Sequence, residues 1–204
     1  MRLVIALVVW VGAVVAAAGL SSVVAKSAHT GAAAASAASF DASAVKATDA
    51  NSLFIAANLE KALAIVRRHY GAGARIDRLV IYPGYLDTTI VTPGGETDVY
   101  VNSAGAFEPT STPATSGSDP LIPLAKIKAG DPAALAQRIA TDAQVPKSGL
   151  HYMIADTDPV NHRFEWLIYT VPGTGVDYFH ASGPAGRLLE YRTNSTVGLQ
   201  PVGG

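Results

Sequence analysis

Residues 89–108, TIVTPGGETDVYVNSAGAFE, read like residues 167–190, LIYTVPGTGVDYFHASGPAGRLLE. In both stretches a β-branched strand runs into Pro-Gly and a second strand carries Asp and Tyr. A Gly-containing turn then leads to a short apolar segment with Glu. Pro cannot donate to a central ladder, and Pro-Gly pairs favour turns, so each stretch is confined to short strands joined by tight reversals. The correspondence predicts a degenerate internal repeat built from antiparallel sheet.

Each half also opens with a helix signal. In the first half, Asn51 or Ser52 is placed to cap a helix whose Leu59, Leu63, Val66 and Tyr70 fall on one face, with Gly71 and Gly73 as its stop. Strand candidates follow at residues 75–82, 85–92 and 97–102, the last leading into Ala106-Phe107-Glu108. In the second half, Asp131-Pro132 is a helix start, Leu135 and Ile139 mark its buried face, and Val145-Pro146 ends it. Strands are expected at residues 151–155, 163–171, 176–181 and 187–192. The predicted fold class is therefore α+β: an N-terminal transmembrane helix, a tether, then two helix-plus-antiparallel-sheet (αβββ) repeats. The repeats span residues 51–108 and 131–204, joined by a Pro/Ser/Thr-rich linker over residues 109–130.

The strand-turn ending Asp98-Val99-Tyr100-Val101-Asn102-Ser103-Ala104-Gly105 resembles that of the PepSY-like family of exported domains, whose arrangement is also seen doubled in the β-lactamase-inhibitor-protein fold. The chain as a whole is similar to small, Ala-rich, N-terminally anchored actinobacterial proteins. The PepSY resemblance covers residues 51–192 as topology and implies inhibition or regulation of exported enzymes. It transfers no functional residue, because no diagnostic motif maps onto this chain.

Residues 3–25 carry no charge and consist mostly of Val, Ala, Leu and Ile. About 23 residues suffice for a helix to cross a hydrocarbon core of ~30 Å. Arg2 precedes this run and Lys26 follows it, which favours a cytoplasmic N-terminus and an extracytoplasmic body. Residues 1–26 are accordingly read as a single-pass membrane anchor. The alternative is a cleaved signal segment and a secreted protein, with small-residue sites at Ala16-Ala17-Ala18 and within Ser36-Ala37-Ala38. Residues 27–50, rich in Ala and Ser, read as a flexible tether.

The 204 residues contain no cysteine and carry a formal net charge of -1, which excludes disulfides and thiolate chemistry and argues against nucleic acid as a partner. No G-x-S-x-G, H-E-x-x-H, P-loop or dinucleotide fingerprint occurs. Ser43-Ala44-Val45-Lys46 matches S-x-x-K but stands in low-complexity sequence. No metal, cofactor or catalytic residue is assigned. The most informative strand is RFEWLIYTV, residues 163–171. Phe164, Trp166, Ile168 and Thr170 share one face, and Arg163, Glu165, Leu167, Tyr169 and Val171 share the other. Two packings follow. Either the halves bury their second faces sheet against sheet, or one face stays uncovered. In the second case Tyr169, Tyr178, His180 and His151 form a binding face, with Phe179 as a further candidate. The expected function is a noncatalytic binding or regulatory module with an envelope or secreted protein partner. Two alternatives stand beside it: an inhibitor that inserts residues 156–162 into an exported hydrolase, or an enzyme site around His151, His180 and Asp177.

Overall fold

A computed structural model of the chain describes residues 40–112, 120–158, 160–182, 188–193 and 198–202. All of these lie in one compact unit, Ser39–Gly204. The predicted anchor and residues 27–39 of the predicted tether lie outside the described residues. Among the described residues no helix is long and apolar enough to cross a membrane.

Helix α1 (Ala56–Tyr70) buries Leu59, Ala62, Leu63 and Val66, as the apolar spacing requires. The expected Asn51 or Ser52 cap is not formed, since the cap residue is Ile55. Ser52 Oγ instead accepts from the Phe54 amide, and Asn58 Nδ2 donates to the carbonyls of Ala50 and Ser52. Gly71 ends the helix at φ 82°, a left-handed conformation that glycine adopts without steric cost. Helix α2 (Gly130–Asp142) buries Pro132, Leu135, Ala136 and Ile139.

Strands β1 (Arg75–Ile81), β2 (Tyr85–Thr92), β3 (Gly95–Asn102) and β4 (Phe107–Thr112) follow α1 as an antiparallel meander. The two-residue β5 (Ile122–Pro123) pairs with β1. After α2 come β6 (Leu150–Thr157), β7 (Phe164–Thr170), β8 (Tyr178–Ser182) and β9 (Leu188–Arg192), with β10 (Gln200–Pro201) on the outer edge. The two meanders join edge to edge through β1 and β6. The result is one sheet in the order β10-β9-β8-β7-β6-β1-β2-β3-β4. The sheet-against-sheet packing is therefore not adopted: the halves share a ladder rather than a face.

The seam pairs Leu79 with Ala155, Val80 with Ile154 and Ile81 with Met153. Both seam strands carry an irregularity at the same place. Buried residues fall at Ile76, Leu79 and Ile81 in β1 and at Leu150, Met153 and Ala155 in β6, a spacing of three and then two in each. A β-bulge, which adds one residue to one strand of a pair, produces this spacing.

Both helices lie on one face of the sheet. Their apolar stripes and the inward residues of the strands form a single core, with Trp166, Phe179, Leu59, Leu63, Leu79, Ile81 and Leu86 fully buried. Part of the expected linker belongs to this core. β4 continues to Thr112, while Ile122, Leu124 and Ile127 are buried and Leu124 N donates to the Ala74 carbonyl. The end of the expected tether is likewise packed. Residues 42–44 form a 3-10 turn capped by Asp41, and Ala42 and Ala47 are buried. This strap presses on the β1–β2 turn so closely that a Cβ on Gly84 would stand 1.8 Å from the Ala42 carbonyl oxygen.

Candidate binding face

On the face opposite the helices, a file of tyrosines crosses six strand positions. Its order is Tyr100 on β3, Tyr85 on β2, Tyr82 just after β1, Tyr152 on β6, Tyr169 on β7 and Tyr178 on β8. Successive ring centroids lie 5.1, 4.5, 5.2, 4.6 and 5.4 Å apart. The Tyr82–Tyr85 and Tyr152–Tyr169 pairs are stacked, with interplanar angles of 19° and 16°. Each stacked ring covers part of its neighbour's face. Aromatic pairs at such distances add roughly 0.5–1.5 kcal/mol each beyond the area they bury.

Register explains the alignment. Tyr169 pairs directly with Tyr152 and with Tyr178. Leu150 is buried, so strict alternation would point Tyr152 at the helices. The bulge between Leu150 and Tyr152 resets the phase and brings Tyr152 beside Tyr169. His151, the inserted residue, is exposed and sets its ring edge-on to Tyr82 and Tyr152 at 5.9 and 5.0 Å.

Burial pushes the Tyr85 and Tyr152 phenols up to about 12, helped by the neighbouring phenols, Tyr82 first for Tyr85 and Tyr169 first for Tyr152. Tyr82, Tyr100 and Tyr169 are raised by the same desolvation. At neutral pH these five phenols are uncharged hydroxyls able to donate and accept.

Carboxylates flank this row. Asp87, Asp98 and Glu108 line a cavity of about 590 Å³ together with Arg78, Tyr82 and Tyr100. Desolvation raises the Asp87 carboxyl, and the nearby Asp98 adds to it. Asp156 is raised for the same first reason, with Asp77 and Glu165 contributing. Further along, Glu165, His180 and Glu190 occupy adjacent strands. His180 Nε2 lies 2.7 Å from Glu165 Oε2 and its Nδ1 lies 3.3 Å from Glu190 Oε2. The hydrogen bond to Glu165 is the first cause that raises the His180 pKa; burial opposes it and Glu190 adds to it.

The structure thus places Tyr169, Tyr178, His180 and His151 on the helix-free face. It does not bring the two histidines together: His151 packs on Tyr82 and Tyr152, whereas His180 is held between two carboxylates. Phe179 is fully buried on the opposite face. Asp177 donates its amide to the Arg192 carbonyl at the start of β8 and joins neither histidine through any described hydrogen bond or ion pair. Among the described residues no group of three His, Cys, Asp or Glu side chains is arranged to hold a metal ion. Tyr82, Tyr85, Tyr100 and Tyr152 were not expected at the site. Tyr85 and Tyr100 alternate with buried Leu86, Val99 and Val101, which marks their face, but only the β1–β6 pairing joins them to Tyr169. Comparison with family models, with curated proteins and with solved structures finds no match.

Proposed function

We propose that this chain is a noncatalytic binding module, held at the membrane by residues 3–25, that engages an extracytoplasmic protein through the tyrosine-lined sheet face. The observation that carries this reading is the unbroken file from Tyr100 to Tyr178 on the face opposite the two helices. Tyrosine supplies large contact area at low entropic cost and is enriched at interfaces. The face carries Asp87, Asp98, Glu108, Asp156, Glu165 and Glu190 against Arg78 and Arg192. Its complement is a surface bearing Lys or Arg. The matching bulges and the shared order of helix and four strands support descent of the two halves from one repeated unit.

The test is site-specific photocrosslinking of the full chain in native membranes. A crosslinker replacing Tyr178 is expected to capture a discrete partner, and one replacing Gln137 on the outer side of α2 is expected not to. Equal capture from both positions, or none from Tyr178, would defeat the reading.

A second reading, inhibition of an exported hydrolase, is favoured by the β6–β7 turn. There Val160 is 87% exposed while Asp158 and Asn161 are tied by hydrogen bonds. Asp158 accepts from the Val160 and Asn161 amides and from Asn161 Nδ2, and Arg163 N donates to Asn161 Oδ1. Val160→Asp should abolish capture of a hydrolase under that reading and leave capture through Tyr178 unchanged under the first.

A further inference from the structure

A second recess opens beside one end of the seam. It is a cavity of about 330 Å³ whose walls come from three distant parts of the chain: the strap at residues 42–48, the β1–β2 turn at residues 82–85, and residues 148–151 leading into β6, with Val171 closing it. Its walls are fixed in advance. Leu53 N donates to the Pro83 carbonyl and Ser103 N to that of Gly84, while the Asp49 carboxylate holds the Lys46 amide. The contact between Gly84 and Ala42 locks strap to turn.

The lining sets this recess apart from the rest of the face. Leu150, Val171 and the stacked Tyr82 and Tyr85 rings give it an apolar body. Lys46 is the charged side chain on its wall, and no carboxylate lines it, whereas the neighbouring cavity carries Asp87, Asp98 and Glu108. Lys46 forms no ion pair among the described residues. His151 and Ser148 add hydrogen-bonding groups at the same wall. Small-molecule sites combine such an apolar lining with a few polar groups that fix orientation, at volumes from about 300 Å³ upward.

We infer that this recess binds a small carboxylate with an apolar or aromatic body. The body lies against Tyr82, Tyr85 and Leu150, and the carboxylate faces Lys46 and His151. The same chemistry is offered by a free aromatic acid and by the C-terminal residue of a peptide. The recess adjoins the tyrosine file and shares Tyr82, Tyr85 and His151 with it, but Lys46 and Ser148 lie outside the file, so their variants test this site whether or not the face has a protein partner.

The probe is N-acetyl-phenylalanine, titrated calorimetrically into the full-length chain beside its neutral amide. The acid should bind about tenfold or more tightly than the amide, since the amide lacks the charge that Lys46 recognises. Lys46→Ala should erase that difference and Lys46→Arg should keep it. Ser148→Trp, which fills the recess from an exposed position, should abolish binding of both while circular dichroism stays unchanged. A tetrapeptide ending in phenylalanine that binds more tightly than the probe identifies a peptide terminus as the ligand. Phenylacetate binding without the tetrapeptide identifies a free acid. Equal affinity for acid and amide, no heat up to about 10 mM acid, or binding unaltered in both Lys46→Ala and Ser148→Trp overturns the inference.

Discussion

His180 lies between two carboxylates, and its two contacts cannot both be good hydrogen bonds unless the ring is charged. A neutral imidazole has one N–H and one lone pair, so it donates to only one carboxylate and turns its lone pair toward the other. The 2.7 Å contact to Glu165 and the 3.3 Å contact to Glu190 therefore select the imidazolium. The side chains of His180, Glu165 and Glu190 are 14%, 11% and 23% exposed. Leu167 and Tyr178 pack on the same face, Asp158 adds a further negative charge nearby, and Arg192 is the nearest cation along β9. Because the folded pKa is raised above its ordinary 6.5, the cluster stabilises the fold fully below about pH 6.5, and that contribution is lost as pH rises through the folded value. Each pH unit separating the folded from the unfolded pKa is worth about 1.4 kcal/mol.

Removing the imidazole leaves two carboxylates facing each other with no cation between them. Breaking a fully buried ion pair costs about 3–5 kcal/mol. Partial exposure reduces this, so His180→Ala should cost about 2–3 kcal/mol at pH 6. For a chain of this size that lowers Tm by roughly 4–12 °C. The assay is thermal unfolding from pH 5.5 to 9, comparing the natural chain with His180→Gln, together with an NMR titration of the His180 ring. The difference in Tm between the two should be largest at low pH and shrink with rising pH, and the ring should titrate above 6.5. A pH-independent difference, or a ring midpoint at or below 6.5, would refute the reasoning.

Three further outcomes are expected. Tyr152→Ala should cost about 2–4 kcal/mol, combining lost ring pairs with exposed neighbouring rings, whereas Tyr152→Phe should stay within about 1 kcal/mol in chemical denaturation. Gly84→Ala should cost about 1–3 kcal/mol, because the new methyl meets backbone rather than a yielding side chain, and should speed tryptic cleavage at Lys46 by freeing the strap. In alkaline titration read by phenolate absorbance, Tyr85 and Tyr152 should ionise near 12. Their raised folded pKa means that their stabilisation persists below about pH 10 and is lost as pH climbs through 12.

The succession of helices and strands along the chain and the buried face of each helix were legible because both depend on local periodicity. Leu59, Leu63 and Val66, or Trp166 and Ile168 against Tyr169, declare their sides without reference to anything distant. The bulges were not legible: Leu150-His151-Tyr152-Met153 shows no alternation until its pairing with β7 is known. Nor was the strap, since Ala42 and Ala47 are buried without any apolar pattern of their own, and it is Ala42 that meets Gly84. The Pro/Ser/Thr stretch misled for the opposite reason. At β4, Pro109 lies on an edge strand, where its missing N–H costs no ladder bond on the outer side.

The seam explains why half of the face was legible and the other half was not. β1 and β6 are each the first strand of their meander, and they pair about a local twofold: Leu79 meets Ala155 while Ile81 meets Met153. Two first strands paired this way send the remaining strands outward in opposite directions and leave both helices on one side. The ladder at the seam is only three pairs long. A short seam needs support, and the structure supplies it on both faces. On the inner face Leu79, Ile81, Met153 and Ala155 are fully buried beneath the helices. On the outer face Tyr82 and Tyr152 meet across the seam at 5.2 Å. The same ring contact that makes the file continuous therefore also fastens the halves together. Substitutions at these two positions must be read in stability before they are read in binding, whereas Tyr178, at the far end of the file, reports on the face without loading the seam.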